Sequence, residues 1–355
     1  TGMRERYLEE FDRIWIDCLN GDKYKTGKVT PWGEPDPSVF STEFNREGIQ
    51  VGTAIGLMVR NEEHEGTETV RFRHLWGTTK RQDLVESADH DGVTPYEELE
   101  PPVEIGYPFM PATLEEGYLQ WPRLPDLMPT SFPGIQTCRD GLVVDTDRDR
   151  LIERMEHYFD PEVSHEEMRD VCPRALKSTK RFHAEDVREQ LQKRGFFPDR
   201  VVRYCYRPFD IRWLYWEPET KLLDEKRADY VSHVRKGNVW LGISKKSRRG
   251  FDPPVVSERH TCRHIVERGA NMFPAYLYPN QRQAQLGETA ARAGRESNLS
   301  PEATAYLADK LPTGEEDGSG LLFHHAVAVL HAPRYRKENR GALRQDWPRV
   351  PLPDD

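Results

Sequence analysis

The residues best equipped for chemistry are cationic and sit in short loops. Lys245-Lys246-Ser247-Arg248-Arg249 follows residues 239–244, an apolar run that reads as a buried strand. Cations leaving a strand end are placed to meet a polyanion. Ammonium and guanidinium groups bind phosphate, and an arginine fork also matches the edge of a guanine. A solvated turn would use the same residues. A second group is Thr137, Arg139 and Asp140 in Gln136-Thr137-Cys138-Arg139-Asp140-Gly141. Thr137 and Arg139 suit a phosphate or a base, and Asp140 can accept from a cytosine amino group or orient Arg139. A capped turn before a strand accounts for it equally. In Arg207-Pro208-Phe209-Asp210-Ile211-Arg212 the two arginines could face a polyanion, but pairing with Asp210 to fix the turn is the simpler use. Tyr335 and Arg336 lie with Arg334, Lys337, Arg340 and Arg344 on or near a late basic helix, a phosphate-facing surface or a solvated one. His260-x-Cys262-x-His264 has the alternation of a partial metal site, though a polar strand end explains it as well. His324, His325 and His331 read as satisfied core or interface histidines.

The elements that hold these groups follow from periodicity. Residues 3–11 read as a helix, with Met3, Tyr7, Leu8 and Phe11 on one face. Residues 13–19 read as a buried strand, 20–48 as a loop, 49–60 as a second, mostly buried strand, 69–75 as a third, and 79–87 as a short helix. That order suits the edge of a doubly wound α/β sheet. No glycine-rich cofactor loop follows a first strand. Residues 88–133 are acidic and proline-rich and read as an extended connector. Beyond it the elements are mixed: a strand at 142–145, a helix at 147–158 with Asp147 as N-cap, and a helix at 184–193. Paired strands follow at 201–206 and 212–216, where Trp213 and Tyr215 suit a sheet face. Strands are expected at 239–244 and 272–278, a mobile polar loop at 280–299, and helices at 301–310, 320–331 and 333–341. The fold class is therefore mixed α/β, with three parts: 1–90, the connector 91–133, and an α+β domain at 134–355.

Charge sharpens the functional reading. The 355-residue chain carries a net charge of −9, which at first argues against nucleic acid. However, ten of its 60 acidic residues and none of its 51 basic ones fall between Gln82 and Pro122, so the rest of the chain is close to balanced and locally basic. Five cysteines without a CxxC pair fit a reducing cytoplasm. No apolar run approaches the roughly 20 residues of a membrane helix.

Three stretches carry a family resemblance. The first runs from Phe11-Asp12-Arg13-Ile14-Trp15-Ile16 to Leu19-Asn20-Gly21, then Val39-Phe40 and Gly48-Ile49-Gln50-Val51-Gly52-Thr53-Ala54-Ile55. The second is Arg207-Pro208-Phe209-Asp210-Ile211-Arg212-Trp213-Leu214-Tyr215-Trp216-Glu217. The third runs from Leu321-Leu322-Phe323-His324-His325 through Val329 to Arg336, ending in Asp346-Trp347-Pro348-Arg349-Val350-Pro351-Leu352-Pro353. In order, they resemble the C-terminal part of type ISP restriction–modification enzymes. The resemblance implies that 1–90 is the end of a Rossmann-like adenine-N6 methyltransferase domain and that 134–355 is a DNA target-recognition domain. It implies double-stranded DNA and upstream domains of the same polypeptide as partners. S-adenosylmethionine, ATP and magnesium are implied for the intact enzyme and none of them for this chain, whose sequence has no Asn-Pro-Pro and no Walker motif. On this reading the chain alone does not transfer methyl groups. A non-DNA docking module attached to a methyltransferase remnant is the alternative.

Overall fold

The computed structural model describes residues 2–89, 94–180, 182–245, 251–266, 269–278, 294–311 and 318–353, with 88, 89 and 319 by backbone alone. They cluster into two units. The first holds the residues up to Gln120 together with Phe251 and Arg336–Asp346; the second holds Trp121–Lys245, Asp252–Tyr335 and the residues from Trp347 on.

In the first unit, helix α1 (Gly2–Glu10) leads into β1 (Arg13–Asn20), β2 (Thr53–Val59), β3 (Val70–His74), α2 (Lys80–Asp89) and β4 (Glu97–Leu99). The sheet order is β2-β1-β3-β4, with β1 parallel to β3 and both outer pairings antiparallel. Ile14, Leu19, Val70, Phe72 and Leu75 form its buried core. The second strand differs from expectation. It is shorter, and it is an edge, with Ile55 43% and Leu57 58% exposed. It hydrogen-bonds to β1 alone, so its apolar residues reflect strand propensity rather than burial. Carboxylates order the loop between β1 and β2. Asp36 is fully buried and accepts from Gly21 N (2.7 Å), Gly77 N (2.9 Å) and Lys80 Nζ (2.5 Å). Buried backbone donors that lack sheet partners are satisfied this way.

The acidic, proline-rich stretch is more structured than an extended connector. It supplies β4, single 3-10 turns at Val103–Ile105 and Tyr118–Gln120, helix α3 (Leu124–Leu127) and β5 (Phe132–Pro133). Ile105, Tyr118, Leu124 and Leu127 are buried, which anchors these short pieces despite their prolines.

The second unit continues with α4 (Asp140–Val143), β6 (Val144–Asp145), α5 (Arg148–Phe159), α6 (His165–Val171), α7 (Ala184–Arg194), β7 (Val201–Arg207) and β8 (Asp210–Tyr215). Then come α8 (Ala228–Ser232), β9 (Trp240–Ile243), β10 (Val255–Ser257), β11 (His260–Thr261), β12 (Asn271–Pro274), β13 (Tyr276–Leu277) and β14 (Glu296–Ser297). Helices Pro301–Lys310, Gly318–His331 and Pro333–Glu338 follow. Two four-stranded sheets, β10-β9-β12-β5 and β11-β7-β8-β6, share one core. Asp147 caps α5 as expected, accepting from Asp149 N and Arg150 N, and α5 buries Leu151, Met155, Tyr158 and Phe159.

Three local expectations differ from the structure, and one helix is additional. The strand expected at 142–145 is half formed: Leu142 and Val143 belong to the helical turn α4, where their N–H groups bond back to Arg139 O, and Val144–Asp145 form β6, paired with β8. The strand expected at 272–278 breaks at Ala275 into β12 and β13, whose pairings lie in different sheets. Of the loop expected at 280–299, residues 280–293 lie outside the described residues. The remainder is ordered: β14 pairs with β13, and buried Asn298 bonds Thr130 O and Pro274 O. Helix α6 was not anticipated, although Ser164 and Glu167 form its capping box. Among the described residues no helix is long and apolar enough to cross a membrane.

Candidate nucleic-acid interface

Strands β7 and β8 form an antiparallel hairpin running from Val201↔Tyr215 to Arg207↔Asp210, with a register shift between Cys205 and Arg207. Buried Tyr204, Leu214 and Tyr215 root it in the core. Near its tip, both Arg207 and Arg212 place their guanidinium carbons over the Tyr206 ring, 4.2 and 3.9 Å from its centre. A guanidinium is attracted to the negative face of a phenol ring, which positions the cation without neutralising it. Asp210 holds Arg212 in a two-point pair (Nε–Oδ1 3.0 Å, Nη2–Oδ2 2.8 Å). The Arg212 hydrogen bonds hold the Asp210 carboxyl below its ordinary range. Arg207 has no carboxylate partner among the described residues; its Nη1 donates to Tyr206 O (2.6 Å) and Cys262 Sγ (3.3 Å).

The turn at 137–140 meets this hairpin. Tyr206 OH donates to Asp140 Oδ2 (2.7 Å), and Thr137 Oγ1 donates to Asp140 Oδ1. The Asp140 hydrogen bond, helped by burial, raises the Tyr206 pKa. Cys138, at the turn's apex, has a positive φ of 56° and is exposed. Thr137, Asp140, Arg207 and Arg212, drawn from two separate stretches of sequence, are therefore one constellation. Its centre, Tyr206, was overlooked. The register could have found it, since Tyr204 faces Arg212 and Tyr206 lies one pleat nearer the tip. A second arginine–aromatic group was overlooked as well: Arg203 and Arg148 lie over Trp213, at 4.4 and 5.6 Å.

Other candidates fall elsewhere. Arg139 is 8% exposed. It bonds Leu222 O (2.9 Å) and Lys221 O (3.3 Å) and lies 3.3 Å over the Phe182 ring. A side chain so engaged faces inward, toward these carbonyls and the Phe182 ring. Arg139→Ala should accordingly lose about 2–3 kcal/mol of stability, the worth of charge-assisted bonds to carbonyls plus packing, seen as a lower urea midpoint. DNA sequence preference of the folded variant should be unchanged; a relaxed preference at one base would restore the contact reading. Tyr335 also faces inward. It is buried, donates to Arg349 O (2.7 Å) and stacks on Trp121 at 6.4 Å. Arg336 is half-buried, and its buried Nε has no hydrogen-bond partner among the described residues. Lys245 is exposed just beyond β9. Lys246, Ser247, Arg248 and Arg249 lie outside the described residues. His325 and His331 bond Pro351 O and Pro254 O; His324 and His331 are exposed rather than core, and His325 is half-buried. Among the described residues no group of three or more His, Cys, Asp and Glu is arranged to hold a metal ion.

The family model of the type ISP C-terminal specificity domain matches residues 126–355. The chain belongs to this family. No curated protein matches it. Among solved structures, the chain is similar to a nuclease-deletion mutant of the type ISP restriction-modification enzyme LlaGI in complex with a DNA substrate mimic (TM-score 0.57, 18% identity). It is also similar to the DrdV–DNA complex (0.60, 17%) and to the ATP-dependent type ISP enzyme LlaBIII bound to DNA (0.63, 15%). All of this chain is covered in each case, but only 27%, 34% and 23% of the other chain. The chain thus spans about a quarter to a third of the length of the proteins it matches. The constellation around Tyr206 lies within the matched specificity domain.

Proposed function

We propose that residues 134–355 recognise double-stranded DNA in a sequence-dependent manner, as the target-recognition part of a type ISP restriction–modification enzyme. The observation that carries this reading is the tip of the β7–β8 hairpin, where Arg207 and Arg212 share the Tyr206 ring beside Asp140 and Asp210. Fixed arginines are the commonest readers of guanine edges and bind phosphate equally well. Asp210 holds the Arg212 fork in place, and Arg207 is positioned by Tyr206 O and Cys262 Sγ. The three neighbouring structures are all DNA complexes, which supports the same partner. Lys245 adds a further cation at the end of β9, and Lys246, Ser247, Arg248 and Arg249 extend the basic run in sequence.

In this reading residues 1–90 close a methyltransferase sheet, residues 91–133 connect it to the recognition domain, and exposed Ile55 and Leu57 on β2 are covered by upstream parts of the same polypeptide. S-adenosylmethionine, ATP and magnesium serve those other parts. The compartment is the cytoplasm, consistent with five free cysteines. Selection of duplexes from a random library by this chain tests the proposal. A selected site should bind on the order of 1,000-fold or more tighter than unrelated duplex. Equal affinity for both would leave a general DNA-binding or docking module.

A further inference from the structure

Phe209 sits at the tip of the β7–β8 hairpin under two unfavourable conditions. Its side chain is fully exposed (105%), and its backbone is left-handed, with φ of 63°. Proline at the first central position of a two-residue turn and positive φ at the second is the type II pattern, which ordinarily takes Gly or Asn where Phe209 stands. A bulky residue there costs on the order of 1–2 kcal/mol. Burial does not offset this cost. An apolar cleft of about 950 Å³, lined by Pro253, Pro254, Val255 and Ile265, opens beside the tip; Phe209 borders it and stays in solvent. The tip is rigidly presented, because the Arg207↔Asp210 pair closes the ladder behind it and Asp210 is tied to Arg212.

We propose that Phe209 is a base-stacking wedge: when duplex DNA binds, its ring inserts at a base step while Arg207 and Arg212 engage the flanking phosphates. This rests on the DNA-recognition reading above. Cations on both sides of an apolar tip argue for nucleic acid rather than a protein pocket. Phosphates flank every base step, whereas an apolar protein pocket offers no anion to Arg207. Apolar side chains that partly unstack a step are a known means of bending and reading DNA.

The test uses the full chain and a selected duplex carrying 2-aminopurine at successive positions. The wild type should brighten one position, reporting a step opened at that point. Phe209→Ala should abolish that signal and weaken binding about 5- to 150-fold, the value of stacking one base on an aromatic ring. Its salt dependence should be unchanged, because no phosphate contact is lost. Phe209→Trp should retain the affinity, with its own fluorescence quenched by DNA. Phe209→Gly should be at least as stable as wild type in urea, showing that loss of binding is not loss of fold. Unchanged affinity and an unchanged 2-aminopurine profile for Phe209→Ala would overturn the wedge and leave DNA recognition standing. Absence of salt-dependent binding by the wild type would overturn both.

Discussion

Glu217→Ala is expected to destabilise the unit containing the specificity domain by roughly 3 kcal/mol, the lower end of the effect of breaking a buried ion pair. Glu217 is fully buried just after β8. Its carboxylate accepts from Arg194 (2.9 and 2.7 Å), Arg200 (3.0 Å), and the backbone N–H groups of Glu219 (2.8 Å) and Thr220 (3.1 Å). Removing it deprives two amides of their acceptor and leaves Arg194 and Arg200 paired only with the half-exposed Glu219. For a unit of this size the melting temperature should fall by about 6–12 °C. Burial pushes the Glu217 carboxyl up, but the bonds from Arg194, Glu219 and Thr220 outweigh it, and the net shift is downward. A depressed folded-state pKa gives stability that is present above the unfolded value, about 4.3, and is lost as pH falls through the folded one. The gap between wild type and variant should therefore narrow below about pH 4.3. Urea titrations at pH 7 and pH 3 showing one constant gap would contradict this account.

The Arg207→Ala, Arg212→Ala double variant is expected to lose DNA affinity about 25-fold or more, taking each arginine contact as worth at least roughly 1 kcal/mol. If both meet phosphate, the log–log salt slope should also become shallower by about 2. Stability should change little, since the Arg212–Asp210 pair is partly exposed and such pairs contribute little. Anisotropy titrations beside urea melts separate the two effects. Unaltered affinity in a folded double variant would remove the hairpin from the interface.

Much of this arrangement was legible in the residues, for physical reasons. Helix α5 could be placed by Asp147 and the spacing of Leu151, Met155 and Tyr158, because capping and periodicity are local. The β7–β8 hairpin followed from the aromatic strands around Pro208. What escaped was non-local. Whether Arg139 faces out or in depends on the carbonyls of Lys221 and Leu222, some eighty residues away, and on Phe182. Tyr335 is buried by a bond to Arg349 and by Trp121, contacts that no periodicity in its own helix encodes. Strand β2 looks like a core strand because its composition is that of one; only its edge position leaves Ile55 and Leu57 exposed. The joining of Thr137 and Asp140 to Tyr206 likewise needed the fold.

The most direct measurement is a titration of the intact chain against a fluorescent duplex at salt concentrations from 50 to 200 mM. A surface that meets several phosphates through Arg207, Arg212, Lys245 and its basic neighbours should give a linear fall of log affinity with log salt, steeper than about −2. No binding at 50 mM salt, or binding indifferent to salt, would contradict recognition of DNA by this chain.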